Sequence, residues 1–241
     1  MQKRVAIVTG AGKRVGRTLA QGLAEAGWQV VAHVHHAPDD VPSGSIKVAA
    51  DLLEPDCAER ILAACPEQPL LLVNNAARFA HDKVGAFSSR EFDLHMGVNV
   101  RAPALLSERF ALAGGTGDRL IVNILDAKLR AQNPDFLSYT LSKAALACLT
   151  ELTARAYASQ GIRVNGVAPA LMLPSGEQTA ENFAAAHAHN PLGRGVDPAQ
   201  VLAAVRFLLD SPTITGEVLT IDGGQRFLAL ARDVQFLDLP R

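Results

Sequence analysis

Apolar residues run along this chain in two alternating rhythms. Short, densely apolar or β-rich runs fall at Val5 to Val8, Gln29 to Val34, Ile46 to Ala49, Leu70 to Val73, Arg119 to Asn123, Arg163 to Val167 and Val218 to Ile221. Each predicts a β-strand. Between them, apolar residues recur at helical spacing. Val15, Leu19, Leu23 and Ala26 form a first helix that Gly27 closes, and further helices are expected from about Pro55 to Ala64, Ser88 to Ala113 and Leu137 to Ser159. A last helix, Pro198 to Leu209, follows Asp197 as N-cap with proline in its first position. Strands that alternate with helices and are apolar on both faces indicate an α/β architecture: a doubly wound parallel sheet of about seven strands, covered by helices on both sides. No linker, charge block or internal repeat divides the chain, so residues 1–241 read as a single domain. The segment from about Leu171 to Asn190 is irregular, with Pro174, Ser175 and Gly176 ahead of an Ala-rich stretch. It fits a substrate-covering loop.

The turn between the first strand and first helix reads Thr9-Gly-Ala-Gly-Lys-Arg-Val-Gly16. Glycine allows positive φ and close backbone approach, and a helix N-terminus favours negative charge, so Gly10, Gly12, Lys13, Arg14, Val15 and Gly16 are candidates to hold a dinucleotide's phosphates. This is the strand, turn and helix order of a Rossmann fold. A cofactor with a free ribose 2'-hydroxyl calls for an acidic residue near the end of the second strand. That region instead reads Ala32-His-Val-His-His36, with no carboxylate before Asp39. Together with Lys13 and Arg14 this favours a 2'-phosphate, hence NADPH, with His35 and His36 at the cofactor's edge. The histidines lack acidic or cysteine partners of ligand spacing, so no metal site is expected.

Composition narrows the partners. Twenty-three basic against 24 acidic residues leave a formal charge of -1, which offers no electrostatic footprint for nucleic acid or an anionic membrane surface. A small-molecule substrate is expected instead. Cys57, Cys65 and Cys148 read as buried or bystander thiols in a reducing compartment, with Cys148 assigned to packing. No run approaches bilayer-spanning length and the Val5 to Val8 run is too short for a signal peptide, so a cytoplasmic enzyme is expected.

Ser138-Tyr-Thr-Leu-Ser-Lys-Ala-Ala145 opens the helix predicted from about Leu137 and puts Tyr139 and Lys143 four apart, on one face. A phenol ordinarily ionises near pH 10, and a neighbouring ammonium favours phenolate, so the pair is expected to lower the tyrosine pKa. Taken with the glycine turn, Asp51-Leu52, Asn74-Asn-Ala76, Asn99 and Asp222-Gly-Gly224, the order of motifs resembles the short-chain dehydrogenase/reductase family over nearly the whole chain. The resemblance implies that Asp51 and Leu52 flank the adenine. It further implies that Asn75, Ala76, Ala77 and Pro169 line the cofactor site and that Asn99 helps hold a relay water. Tyr139 would be the proton donor, and Lys143 would bind the nicotinamide ribose.

Three departures from the common pattern narrow this. Arg14 stands where most members have glycine, Asp126 stands where most have the catalytic serine, and Phe79 follows Asn75 by four residues. All three resemble the pteridine reductase and dihydromonapterin or dihydrofolate reductase subgroup, in which an aromatic ring stacks a pterin against the nicotinamide. An ionised carboxylate only accepts hydrogen bonds, which suits a ring presenting N–H and amino donors better than a ketone oxygen. The alternative for Asp126 is a cap after the strand. The resemblance therefore assigns Asp126, Tyr139, Lys143 and Asn99 to catalysis, and Arg14, Phe79, Asp126 and Tyr139 to substrate binding. Ala77-Arg78 departs from a serine that often occurs there, and Pro169-Ala170 from the usual Pro-Gly.

The leading expectation is hydride transfer from NADPH to a C=N carbon of a dihydropterin-like ring. One alternative keeps the Tyr-Lys chemistry but makes the substrate a ketone or quinone. Another is a non-catalytic protein that senses NADP. The family also implies a homo-oligomer, commonly a tetramer, built on the long helices near Ser88 and Leu137. The tail after Gly224, ending in Asp238-Leu-Pro-Arg241, could on the same analogy reach a neighbouring subunit's site.

Overall fold

The computed structural model describes residues 4–114, 117–174 and 178–237. Its strands are β1 (Val5–Val8), β2 (Gln29–Val34), β3 (Ile46–Ala49), β4 (Pro69–Asn74), β5 (Arg119–Ile124), β6 (Ile162–Pro169) and β7 (Val218–Ile221). All neighbours pair in parallel, in the order β3-β2-β1-β4-β5-β6-β7. The helices are α1 (Arg14–Glu25), α2 (Cys57–Ala63), α3 (Ser89–Met96), α4 (Ala102–Leu112), α5 (Leu137–Tyr157), α6 (Ala180–Ala188) and α7 (Pro198–Leu209).

The two-residue period of each strand sends alternate side chains to opposite faces. Ala6 and Val8 of β1 join Val30, Leu71, Val73, Leu120 and Val122 against α1 and α7, through Leu19, Leu23, Val201 and Val205. Val5 and Ile7 face the other way, with Val31, Leu72, Ile121 and Val164, against Ile61 of α2 and Leu106 and Phe110 of α4. Two apolar layers thus clamp the sheet, which is why its strands carry no polar face. Gly22 lets α1 and α7 approach, since a Cβ there would stand 2.2 Å from Leu202 Cδ2.

Several boundaries differ from the sequence reading. The helix expected from Pro55 begins at Cys57, because residues 52–56 form turns in which the Asp51 carboxylate accepts the Leu53 amide (2.9 Å). The long helix expected from Ser88 to Ala113 is interrupted by a π-helical turn at Gly97–Arg101, between α3 and α4. Gly97 faces Leu53 there so closely that a Cβ would lie 2.5 Å from its side chain. Such π turns are frequent at functional sites. α5 ends at Tyr157 and passes into a short 3-10 turn. Cys57 is buried and Cys65 partly so, whereas Cys148, expected to pack, lies exposed on α5 within its own chain. Among the described residues no helix is long and apolar enough to cross a membrane.

α7 starts as its sequence predicts. The Asp197 side chain accepts the Ala199 amide at 2.7 Å, and Gln200 reaches back to the Asp197 amide at 3.0 Å, completing a capping box. Asp197→Ala should lower the unfolding free energy by about 0.5–2 kcal/mol, and Asp197→Ser by much less. Denaturant titration checks this; equal losses for both would rule out the cap as the cause.

Candidate active site

The strand order places β1 between β2 and β4, so the connections from β1 and β4 leave in opposite directions and a crevice opens beyond their carboxyl ends. A cavity of about 960 Å³ occupies it. Its cofactor end is a cradle of backbone. The Thr9 hydroxyl accepts the amides of Asn75 (2.9 Å) and Ala76 (3.0 Å), and the Asn75 side-chain amide donates to the Thr9 carbonyl (2.8 Å). These bonds lock the glycine turn to the end of β4. Gly10 takes φ +66°, and Gly16 packs so tightly that a Cβ would stand 2.0 Å from the Gly10 carbonyl oxygen. Helix α1 begins without a side-chain cap and without an acidic residue in its first turn, so its amides and dipole are open to an anion. A bound dinucleotide pyrophosphate fits this cradle.

Arg14 keeps the left-handed conformation expected of a glycine, with φ +52°, at a cost on the order of 1 kcal/mol. Its guanidinium donates to the carbonyls of Pro174 (2.7 Å) and Leu173 (3.4 Å), tying the turn to the segment after β6. Lys13, Val15, His35, His36, Asp51, Leu52, Ala77 and Pro169 all line the same cavity. His35 Nε2 lies 3.7 Å from the Asp51 carboxylate. His33, the first histidine of the run from Ala32 to His36, also lines the cavity but is buried against the sheet. The Gly10 amide donates to its Nδ1 (3.2 Å), which leaves the protonated Nε2 to donate to the Ala50 carbonyl (3.0 Å). Burial pushes this imidazole below its ordinary pKa, and the neutral ring buckles the glycine turn to the end of β3.

The other end of the cavity is polar. Asp126 follows β5, and its two oxygens do two jobs. Oδ1 accepts the Lys128 amide at 2.8 Å, capping a short 3-10 turn, while Oδ2 accepts the Tyr139 hydroxyl at 2.8 Å. One side chain thus caps the turn and bonds the phenol at the same time. Lys143, buried, donates to the Ile124 carbonyl at 2.6 Å.

The tyrosine's tuning runs opposite to the sequence expectation. Tyr139 is pushed well above the ordinary phenol range, first by burial and then by the adjacent Asp126 carboxylate. The lysine does not offset this, because its own ammonium is destabilised by burial and its pKa falls to about 8. Burial also raises Asp126. The arrangement holds a proton between phenol and carboxylate, with Tyr139 as donor, and the two groups titrate as a unit.

Phe79 presents a partly exposed ring (42%) to the cavity, stacked on Phe136 (4.4 Å) and edge-on to Tyr139 (4.7 Å). Asn99 sits in the π turn, fully buried. Its amide donates to the Arg78 carbonyl (3.0 Å) and the Ser142 hydroxyl (2.9 Å), and its oxygen accepts the Arg78 amide (2.8 Å). Those bonds tie the side chain to the loop after β4 and to α5.

Residues that the sequence did not single out close the site. Beyond Gly224 the chain folds back over its own cavity, where Gln225, Arg226, Leu230, Asp233, Val234 and Gln235 line the wall. The buried Asp135 carboxylate accepts from Arg232 (2.7 and 3.0 Å) and from the Asp233 amide (2.9 Å). Asp233 pairs with Lys128 at 3.4 Å, and Phe236 stacks on Phe136 at 5.7 Å. The tail expected at a neighbour's site is thus anchored, as far as residue 237, on its own subunit; residues 238–241 lie outside the described part. Nothing in the local pattern around Asp233 announces this, since its partners lie about a hundred residues away.

A nucleotide cradle joined to a buried Tyr-Lys pair defines an oxidoreductase of the NAD(P)H-using type, and comparison with known proteins agrees. The chain belongs to the short-chain dehydrogenase/reductase family: residues 10–226 match the family described as enoyl-(acyl carrier protein) reductase. Among curated relatives, an L-xylulose reductase of Mesocricetus auratus is 32% identical, covering 92% of this chain and 96% of its own length. The 3-oxoacyl-[acyl-carrier-protein] reductase FabG of Vibrio cholerae is 28% identical, covering 93% and 98%. Among solved structures, FolM alternative dihydrofolate reductase 1 from Brucella suis, in complex with NADP, is 34% identical with a TM-score of 0.85, covering 94% of this chain and 96% of that one. Its counterpart from Brucella canis, also with NADP, is 34% identical with a TM-score of 0.83, covering 93% and 94%.

The chain has two tyrosines, and burial raises the other, Tyr157, as well. Spectrophotometric titration should find both ionising above the ordinary phenol pKa of about 10. In Asp126→Asn one of them should move down while Tyr157 serves as the internal control. An unchanged titration in the variant would show that the carboxylate does not hold the phenol's proton.

Proposed function

We propose that this protein is an NADPH-dependent reductase that delivers hydride to a C=N bond of a dihydropterin-like substrate. The observation that carries the reading is Asp126: a half-buried carboxylate bonded to the Tyr139 hydroxyl, at the position where most of the family has serine, in the cavity that Phe79 also lines. The similarity to the Brucella FolM structures supports it.

In this reading Gly10, Gly12, Val15 and Gly16 hold the pyrophosphate, and Lys13, Arg14, His35 and His36 meet the 2'-phosphate that distinguishes NADPH from NADH. Asp51 and Leu52 flank the adenine, while Asn75, Ala76, Ala77 and Pro169 line the nicotinamide end, with Tyr139 and Lys143 at its ribose. The bound cofactor supplies the hydride. Phe79 supplies a flat apolar wall for the substrate ring, Asp126 accepts from its N–H and amino groups, and Arg14 reaches the same space. Tyr139 carries the proton for the reduced ring nitrogen, and a hydrogen bond passed from Tyr139 to a substrate atom leaves Asp126 free to bind the ring. Asn99 contributes by fixing the loop that bears Phe79 and, through Ser142, the start of α5. The stretch of about 171–190 covers the site, its first residues already lining the cavity and bonded to Arg14; of that stretch, residues 175–177 lie outside the described part. The exposed Leu112, Leu141 and Leu152 on α4 and α5 suit a homo-oligomer, a tetramer by the family's habit.

A second reading, reduction of a carbonyl compound, is favoured by the sugar and oxoacyl reductases among the relatives. Asp126 would then serve as the cap it also is. The two readings part on one substitution. If the substrate is a pterin, purified protein oxidises NADPH with dihydrobiopterin, and Asp126→Ser loses about 10²- to 10⁴-fold in kcat/KM, as does Tyr139→Phe. Turnover of a ketone alone, kept or improved in Asp126→Ser, would establish the carbonyl reading instead.

The pH profile supplies a further check. Lysine is a cation below its pKa, and the cation is the form that binds the ribose. The free-enzyme kcat/KM should therefore fall as pH rises through about 8. A profile flat to pH 10 would exclude Lys143 as the titrating group.

A further inference from the structure

We propose that Glu91, His95 and Asn99 form a three-point clamp on the segment Arg78-Phe79-Ala80, and that Glu91 and His95 are positioning residues for substrate binding through the Phe79 ring. The proposal rests on the reading of Phe79 as the wall that stacks a flat substrate.

The three residues are spaced by four along α3 and the π turn that extends it, so they present one face to the loop after β4. Each grips a different group. Glu91 takes the Arg78 guanidinium in a two-pronged bond, Nε to Oε2 and Nη2 to Oε1, both at 2.8 Å. Asn99 satisfies both the amide and the carbonyl of Arg78. The Ala80 amide donates to His95 Nε2 at 3.2 Å.

The histidine is fully buried and set for this task. Its Nδ1 proton is given to the Glu91 carbonyl at 2.6 Å, one turn back in the same helix, which leaves Nε2 as the acceptor. Burial lowers its pKa, consistent with a neutral ring. Glu91 is itself fixed, since its amide donates to the Ser88 side chain that caps α3 (3.2 Å).

Phe79 is thus held on both flanks while its ring stays 42% exposed. A partly exposed aromatic ring on a loop would ordinarily sample several positions. Fixing the backbone on either side removes that freedom before the substrate arrives, so less ordering is required on binding. The clamp also gives Arg78 a role in the Ala77-Arg78 pair, which lacks the serine that often occurs there in the pterin-reducing subgroup. The hydroxyl is lost, and in exchange the loop gains a charge-assisted anchor outside the reacting atoms.

Steady-state kinetics of the full chain with NADPH and dihydrobiopterin test this with His95→Phe, His95→Gln, Glu91→Gln and Phe79→Ala. His95→Phe and Glu91→Gln should each raise KM for dihydrobiopterin about tenfold, with kcat and KM for NADPH changed less than about twofold. His95→Gln should stay near wild type, because its amide oxygen can accept the Ala80 amide. In the Phe79→Ala background, His95→Phe and Glu91→Gln should add little, since the group they position is gone. A drop in Tm with all kinetic constants falling together, or an unchanged KM, overturns the clamp. If His95→Phe does not fold, Glu91→Gln, which alters a partly exposed pair, decides alone. Absence of any dihydrobiopterin turnover or binding by the wild-type protein overturns the pterin reading itself, a result distinct from wild-type turnover with insensitive variants.

Discussion

The site depends on how β1 is tied to β4 at the one place where the sheet's winding reverses. Thr9 and Asn75 bond across that gap through three hydrogen bonds of 3.0 Å or less, and they fix the start of the glycine turn relative to the loop that carries Phe79. His33 adds the third side by joining Gly10 to the end of β3. The turn cannot relax away from the crevice without breaking buried bonds to two strands. This explains why Gly16 tolerates no Cβ and why Arg14 is held in a conformation that a free chain would avoid.

At the other end of the cavity, desolvation is the governing force. A carboxylate, a phenol and an ammonium are brought into one corner, and each is shifted toward its neutral form by burial. Attraction between Asp126 and Lys143 works against that shift without cancelling it. The phenol therefore stays protonated against its carboxylate partner, the state required of a donor. Asp233 and Lys128, brought in from the carboxyl-terminal segment and the turn after β5, add a second charge pair beside the first.

Much of this was legible in the sequence. The bounds of β2, β3, β7 and α7 follow from apolar runs and from an N-cap whose chemistry is local. Tyr139, Lys143, Asp126 and the glycine turn converge on one cavity because their order along the chain maps onto the carboxyl ends of a parallel sheet. What was not legible depends on distance or on burial. The π turn at 97–101 leaves helical spacing almost intact, so periodicity alone cannot show it. The direction of the Tyr139 shift follows from loss of water around the trio, which spacing along a helix does not encode. His33 reads as one of three histidines near a strand end, and only its place between Gly10 and Ala50 makes it a structural buckle.

The carboxyl-terminal segment shows why the substrate end is the least readable part of the fold. Its wall is made where Asp135 meets Arg232 and the Asp233 amide, and where Phe136 lies between Phe79 and Phe236. Phe136 itself has φ +53°, a strained conformation for a bulky residue, in which its ring faces Phe79 and Phe236. Such strain persists only where surrounding contacts over-determine it. The stack of three rings and the Asp135 anchor supply those contacts. The loop before α5, the loop after β4 and the carboxyl-terminal segment therefore hold one another in place, and the wall of the cavity beside Phe79 is assembled from all three.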